Sequence, residues 1–254
     1  MKLQLIRNAT LKLHYAGRCI LIDPYFAPRH SLPSYTGRSA NPLVDLPLPV
    51  PDILDGVELV IVSHLHSDHF DSVAKALVPK DLPILCQPGD EGEIAKAGFT
   101  DVTPLADEID WQGIRFTRCE ASHGLGPVVE IMGKVMGVLI SSPKEPSLYW
   151  AGDTVLYPPV LQRIRCDRPD ITVSHSCGAL WDDDLIVMDA AETVHLANAA
   201  LAANAGAIVV ATHMEALDHA SVSRDDLRAA ANAARIGVDR LVIPQDGEAI
   251  SFEI

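Results

Sequence analysis

The sequence has little of what marks secreted or membrane proteins. Its five cysteines include no CxxC pair, and their odd number cannot form a closed set of disulfides. No run approaches the ~18 consecutive apolar residues of a membrane span. The N-terminus lacks the apolar stretch and cleavage site of a signal peptide. We therefore expect reduced thiols, no membrane association and a cytoplasmic protein.

Positive charge is also scarce. The chain carries 20 Lys and Arg against 34 Asp and Glu, a formal net charge of -14 at pH 7. This balance repels a phosphate backbone, so generic nucleic-acid binding and docking to anionic lipid are disfavoured. With 48% hydrophobic and 21% charged residues over 254 positions, the composition is that of a globular protein. We expect residues 1–254 to form one domain.

The hydrophobic pattern predicts short strands and helices. Three N-terminal strands are expected, followed by a long loop over residues 27–55. Strands are predicted at residues 3–6, 11–15, 19–23, 58–62, 147–151, 171–174, 207–211 and 240–243. Helices are predicted at residues 71–77, 189–204 and 223–236, the last with Ser223 and Asp226 at its start. Ala-rich helices between apolar strands favour α/β packing, with helices covering a sheet.

The most informative segment follows the predicted strand at residues 58–62 and reads Ser63-His64-Leu65-His66-Ser67-Asp68-His69. His64 and His66 alternate on one side of an extended segment, while Asp68 and His69 begin the next turn. Imidazole nitrogen suits zinc, iron or manganese, and a carboxylate can bridge or complete a second site. This segment predicts a metal site rather than an exposed polar loop.

The run His64-Leu65-His66-Ser67-Asp68-His69 resembles the HxHxDH motif of the metallo-β-lactamase superfamily. In that family three further ligands follow from separate strand ends, in the order His, Asp, His. His123, Asp153 and His213 meet this order. The resemblance covers nearly the whole chain and implies an α/β fold, a four-layer αββα sandwich. The branch that contains L-ascorbate 6-phosphate lactonase is the most similar.

The resemblance also implies a ligand set for two divalent metal ions, with zinc as the first choice and manganese or iron as alternatives. The first metal would be held by His64, His66 and His123, the second by Asp68, His69 and His213, with Asp153 bridging both. Asp68 and Asp153 are the residues assigned a catalytic role. A hydroxide shared by the two metals would be the nucleophile, and the metals would polarise the attacked oxygen.

Two N-terminal segments bear on this site. Ile22-Asp23-Pro24 resembles the family's early strand that ends in an Asp, whose carboxylate commonly supports a metal ligand. Asn8-Ala9-Thr10 departs from the family, because related hydrolases often have His-Ala-Thr at this point. Any role of that histidine is therefore in doubt for this chain.

Alternatives remain for several residues. His123 could be a loop residue, and Asp153 could be a turn former. His213 has rivals in His175 and His219, and it is preferred because it follows the apolar strand AIVVA.

Other polar residues near the proposed centre have weaker claims. Glu215, Asp218 and His219 could orient substrate or donate a proton, or could serve as solvated loop or helix-cap residues. Trp181 with Asp182 to Asp184 reads as a solvent-facing acidic turn more readily than as a pocket rim. His14, His30 and His195 have no clustered partner and are expected at the surface or satisfied within the core.

The predicted function is hydrolysis of a small ester, lactone or phosphoester by a metal-bridging hydroxide, with lactone opening favoured by the resemblance. A phosphate-bearing substrate would need cations, for which the candidates are Arg7, Arg29, Arg38 and Lys144. One alternative is a nuclease or RNA-processing phosphodiesterase of the same fold, which the net charge disfavours. Another is a non-catalytic metal-binding module. The expected partner is a small molecule, with no nucleic acid and no membrane, and a homo-oligomer is permitted.

Overall fold

Two seven-stranded sheets form the centre of the computed structural model, which describes residues 1–252. The strands of the first sheet are β1 (Lys2–Arg7), β2 (Thr10–Tyr15), β3 (Arg18–Ile22), β4 (Leu59–Val62), β5 (Ile84–Cys86), β6 (Val102–Pro104) and β16 (Ala249–Ser251). Their spatial order is β16-β1-β2-β3-β4-β5-β6. From β3 to β6 neighbouring strands run parallel, whereas β16, β1, β2 and β3 pair antiparallel.

The second sheet has the order β15-β14-β11-β10-β9-β8-β7. Its strands are β7 (Glu108–Trp111), β8 (Ile114–Glu120), β9 (Met136–Ser141), β10 (Leu148–Trp150), β11 (Ile171–His175), β14 (Ile208–Thr212) and β15 (Leu241–Val242). From β10 to β15 the neighbours run parallel. A separate hairpin pairs β12 (Leu180–Trp181) with β13 (Asp184–Leu185).

Helices cover the outer face of each sheet. The helices are α1 (Val50–Leu54), α2 (Ser72–Leu77), α3 (Glu91–Lys96), α4 (Val128–Met132), α5 (Pro158–Asp167), α6 (Ala190–Ala203) and α7 (Arg224–Ala233). Of these, α4 packs against residues 177–187 instead of a sheet face. One apolar cluster, which includes Leu5 and Trp150, fills the space between the sheets. A second joins the second sheet to α5, α6 and α7, and a third joins the first sheet to α1, α2 and α3. The predicted αββα sandwich is confirmed.

Local sequence signals explain several helix starts. Asp71 accepts hydrogen bonds from the first backbone N–H groups of α2, and Asp189 does so for α6. At α7 the predicted pair is confirmed as a capping box, because Ser223 and Asp226 each accept from the other's backbone N–H. The loop predicted over residues 27–55 is wrong at its end, where α1 forms with a proline in its first turn.

Two expectations about the chain as a whole can be compared with the fold. All five cysteines are free thiols. Within residues 1–252, no helix is both long and apolar enough to cross a membrane.

Candidate metal centre

The predicted ligands lie together at one edge of the sandwich, where five strands end. The segment 63–69 follows β4, and the turn carrying His123 follows β8. Asp153 comes after β10, His175 ends β11, and His213 comes after β14. Because these strands deliver the chain to the same edge, residues about 150 positions apart along the sequence become neighbours: His213 Nε2 lies 3.2 Å from Asp68 Oδ2.

A first cluster is formed by His64, His66 and His123, whose nitrogens lie within 4.8 Å of one another. The Ser63 hydroxyl donates to Asp23, so its oxygen is free to accept from His64 Nδ1 at 2.9 Å. His123 Nδ1 lies 2.8 Å from the carbonyl of Ile186 and donates to it. In both rings Nε2 is thereby left with a lone pair for a cation, and His64 Nε2 is buried with no partner among the described residues.

A second cluster is formed by His69, Asp153, His175 and His213, again with ligand atoms within 4.8 Å. All four side chains are buried. Asp68 borders this cluster, since its Oδ2 lies 3.2 Å from His213 Nε2 and 3.5 Å from His69 Nε2.

Asp153 belongs to the second cluster and also contacts the first. Its Oδ2 is 3.4 Å from His123 Nε2 and 3.1 Å from His69 Nε2. Its Oδ1 is 2.5 Å from His175 Nδ1 and 3.6 Å from His213 Nε2. The structure therefore brings together all seven residues that the sequence singled out, with Asp153 in the central position.

His175 is the cluster member that sequence reasoning left aside. The sequence suggests it only as an alternative to His213, but both histidines belong to the second cluster. The sequence signal for His175 is its position directly after the apolar strand predicted at residues 171–174, much as His213 follows the one at 207–211. In the fold β11 and β14 are parallel neighbours, with His175 opposite Thr212. The sequence could not show that both strand ends reach the same site.

Burial of the rings and the charge of the neighbouring carboxylates shift the pKa values of the site's histidines in opposite directions. Burial lowers the pKa of His69, but the carboxylates of Asp153, Asp68 and Asp23 outweigh it and raise that pKa to about 10. Burial lowers the pKa of His123 to about 4 and that of His64 well below its ordinary value. The neutral imidazoles of the first cluster and the buried carboxylates at the second cluster are ligands that a divalent cation prefers. The side chains therefore fit a metal centre.

Supporting side chains surround the two clusters. Asp23 is fully buried and accepts from the Ser63 backbone N–H at 2.8 Å and from His69 Nδ1 at 2.7 Å. Asn8, which stands where relatives often have histidine, places its amide nitrogen 3.3 Å from His213 Nε2 and 3.4 Å from Asp68 Oδ2. Both residues orient ring and carboxylate groups of the second cluster.

A cavity of about 250 Å³ opens onto these residues. Its polar lining consists of Tyr35, His66, Ser67, Asp68, His123, Asp153 and His219. Its apolar lining consists of Ile131, Met132, Trp181 and Ile186. None of the described residues that line it is Lys or Arg.

The less certain sequence candidates have separate outcomes. Trp181 lines the cavity, contrary to the preferred reading, whereas Asp182 to Asp184 are exposed as expected. Glu215 pairs with Arg224 at the surface, while His219 lines the cavity. His14, His30 and His195 are exposed, as predicted.

The cations proposed for a phosphate do not reach this cavity. Arg7 is fully buried and donates to the carbonyls of Tyr25, Ala27 and Val44. It therefore stabilises the loop between β3 and α1. Arg29, Arg38 and Lys144 are absent from the lining.

A family comparison agrees with the geometry. A family model described as "Beta-lactamase superfamily domain" matches residues 18–233, and this range includes every residue of the two clusters. The chain belongs to the beta-lactamase superfamily. This membership, with relatives named metal-dependent hydrolases, supports a metal-dependent enzyme.

Relatives of the chain match it over two thirds or more of its length. UPF0173 protein YddR of Bacillus subtilis is 34% identical, with 99% of this chain and 100% of that protein covered. A UPF0173 metal-dependent hydrolase of Xanthobacter autotrophicus is 26% identical, over 67% and 69% of the two chains. The crystal structure of isothiocyanate hydrolase from Delia radicum gut bacteria has a TM-score of 0.91 and 34% identity, covering 100% of this chain and 99% of that one.

Proposed function

We propose that this superfamily member hydrolyses a small uncharged electrophile that carries an apolar group, and that an isothiocyanate is its first-choice substrate. The observation that carries the proposal is the cavity beside the two clusters. It combines the metal-binding side chains with Ile131, Met132 and Trp181, and its described lining contains no Lys or Arg. Such a lining suits an apolar substituent and offers no basic side chain to a phosphate.

The similarity to isothiocyanate hydrolase supports this choice over the lactone favoured by the sequence. Addition of one water to the central carbon of R–N=C=S gives a thiocarbamate, which breaks down to the amine and carbonyl sulfide. An ester or lactone carbonyl presents a comparable electrophilic carbon. A phosphoester fits less well, because only the proposed metal ions, and no basic side chain of the described lining, would face its negative charge.

We further propose that the centre is dinuclear and holds zinc, with manganese or iron as alternatives. His64, His66 and His123 would hold one ion, while Asp68, His69 and His213 would hold the other, with Asp153 between them. His175, 2.5 Å from Asp153 Oδ1, would fix the orientation of that carboxylate. Divalent ions in such a site would supply an activated water and a polarised electrophile.

The chain's own residues have defined tasks in this scheme. Asp23 holds His69 with Nε2 directed at the cluster. Asp68 and Asp153 are the carboxylates that both belong to the centre and line the cavity, so they are placed to accept the proton of the attacking water. The apolar lining excludes bulk water from the substituent of the substrate.

A substrate panel with metal-loaded protein tests the proposal. The compounds are benzyl isothiocyanate, a γ-lactone, p-nitrophenyl acetate, p-nitrophenyl phosphate and a short RNA, with metal content measured in parallel. We expect the highest kcat/KM for the isothiocyanate, measurable turnover of the uncharged esters, and the lowest values for the two phosphate compounds. Preferred cleavage of the phosphate compound or of RNA would contradict the proposal and favour the phosphodiesterase alternative.

A further inference from the structure

The carboxylate of Asp218, outside the two clusters, accepts hydrogen bonds from several groups. Asp218 accepts from the Ser34 and Thr36 hydroxyls, from the backbone N–H of Tyr35 at 3.0 Å and of Thr36 at 3.2 Å, and from the Asn41 amide at 2.9 Å. These hydrogen bonds outweigh the effect of burial and hold the pKa of Asp218 below its usual range. We name Asp218 and residues 34–41 the Asp218 clamp.

The Asp218 clamp joins two distant parts of the chain. The Asp218 backbone N–H donates to Asn41 Oδ1 at 2.9 Å, and the Leu43 N–H donates to the carbonyl of Ala216 at 2.8 Å. Tyr35 also packs against the small apolar cluster that contains Ala216 and Leu217. A loop with little secondary structure is thereby fixed to the segment that follows the proposed ligand His213.

The consequence of this clamp is the position of Tyr35. The Tyr35 hydroxyl lies 2.7 Å from Ser67 Oγ and 3.4 Å from Asp68 Oδ1. Its ring meets the buried ring of His219 edge to face, with centroids 4.8 Å apart. Both side chains line the cavity, where Tyr35 supplies a phenolic hydroxyl beside the proposed metal ligands.

We propose that the Tyr35 O–H, which donates to Asp68 Oδ1 in this structure, turns to donate to the electronegative atom bonded to the attacked carbon of the substrate and so orients it, while the Ser67 hydroxyl donates to the Tyr35 oxygen. Asp218 is the positioning residue that holds Tyr35 at the cavity. This inference rests on the proposed function for the reaction, but it concerns residues outside the ligand set. His219 limits the rotation of the Tyr35 ring. The arrangement makes selection among substrates depend on a loop that contributes no proposed metal ligand.

Four variants test the proposal in the metal-loaded full chain: Tyr35→Phe, Asp218→Asn, the double variant, and Ser31→Ala as a control in the same loop but outside the clamp. We expect Tyr35→Phe to lower kcat/KM about tenfold with unchanged metal content, as for loss of one hydrogen bond to substrate. Asp218→Asn should lower it at least as much. The double variant should be no worse than Asp218→Asn, because both changes remove the same contact.

Two further readouts do not depend on finding the substrate. Binding of benzohydroxamate, which combines an aromatic ring with a metal-chelating group and a hydrogen-bond acceptor, should weaken about tenfold in Tyr35→Phe. Hydrogen exchange at the Tyr35 and Thr36 amides should accelerate in Asp218→Asn and remain slow in Tyr35→Phe and Ser31→Ala. If Asp218→Asn fails to fold, Thr36→Val takes its place, because it removes one hydroxyl donor to Asp218.

The outcomes separate this inference from the proposed function. If the wild type turns over none of the panel, the proposed function fails, whereas benzohydroxamate binding still decides the role of Tyr35. Unchanged kcat/KM and unchanged benzohydroxamate affinity in Tyr35→Phe would overturn the orienting role. Slow exchange of the Tyr35 amide in Asp218→Asn, or losses that multiply in the double variant, would overturn the positioning role of Asp218.

Discussion

His69 Nδ1 and Asp23 Oδ2 lie 2.7 Å apart, and both side chains are fully buried. The two residues come from different strand ends, β3 for Asp23 and β4 for His69, and these strands are parallel neighbours. The carboxylate fixes a proton on Nδ1, so Nε2, which faces Asp153 Oδ2 at 3.1 Å, is the nitrogen at which a cation would replace a proton. The metal-binding form of His69 therefore depends on a residue that does not itself reach the centre.

Asp23→Asn should weaken metal binding about 10- to 100-fold while the protein stays folded. The Asn amide nitrogen can donate to His69 Nδ1, which then favours a proton on Nε2, the atom needed for the cation. Competition with a chelator, followed by metal analysis, measures the affinity. Asp110→Asn, an exposed change remote from the centre, should bind metal as the wild type does. Equal affinities in the two variants would contradict this role.

Asp68→Ala and His66→Ala should each abolish hydrolysis and lower metal occupancy. Each removes a proposed ligand, so the centre loses both a donor and the geometry that holds the reacting water. Turnover and metal content of the purified variants provide the measurement. His195→Ala is the matched control, because His195 is exposed on α6. Turnover at the wild-type level in both ligand variants would rule out the mechanism.

Gly152→Ala should destabilise the fold by about 2 kcal/mol, a typical cost of holding a residue other than glycine in a strained backbone conformation. Gly152 has φ of +69°, and a Cβ there would lie 2.8 Å from the Met136 carbonyl oxygen. Urea unfolding measures the loss. Gly92→Ala is the control: its φ is not positive, it lies in α3, and an added Cβ meets nothing within 4 Å. That variant should be neutral or slightly stabilised.

Asp90→Asn should stabilise the protein at pH 8 by about 1 kcal/mol. Partial exposure of the Asp90 side chain to solvent keeps the cost of its charge this small. Burial, with a smaller contribution from Glu91, raises the pKa of Asp90 from 3.8 to about 6, and its Oδ2 has no partner among the described residues. Ionisation therefore opposes folding. The penalty is absent below about pH 4, grows through pH 6 and is complete above it.

Unfolding of wild type and Asp90→Asn at pH 4 and pH 8 provides the check. The stability difference should be present at pH 8 and nearly vanish at pH 4, where both side chains are neutral. Asp101→Asn, an exposed change directly before β6, should show no such pH-dependent gain. A gain that is equal at both pH values would point to packing rather than charge.

Much of the centre was predictable because its signals are local. Three histidines and an aspartate within residues 64–69, placed after a buried strand, indicate a metal site by residue type and spacing. His123, Asp153 and His213 were found because they resemble a family order, and Asp153 and His213 also because each follows a predicted strand. The helix start at Ser223 was predictable for the same reason, since a capping box needs only residues three positions apart.

The sequence by itself determined eight of the strands, the helices α2, α6 and α7, and which residue types can hold a cation, because hydrophobic period and ligand chemistry are set by a few consecutive residues. Only the tertiary structure decided that His175 joins His213, that Asp23 orients His69, that Arg7 is buried away from the cavity, and that Asp218 holds Tyr35 beside Asp68. These relationships depend on which strands become neighbours and how the two sheets stack. Such pairings join residues tens to hundreds of positions apart and leave no pattern in any short stretch of the chain.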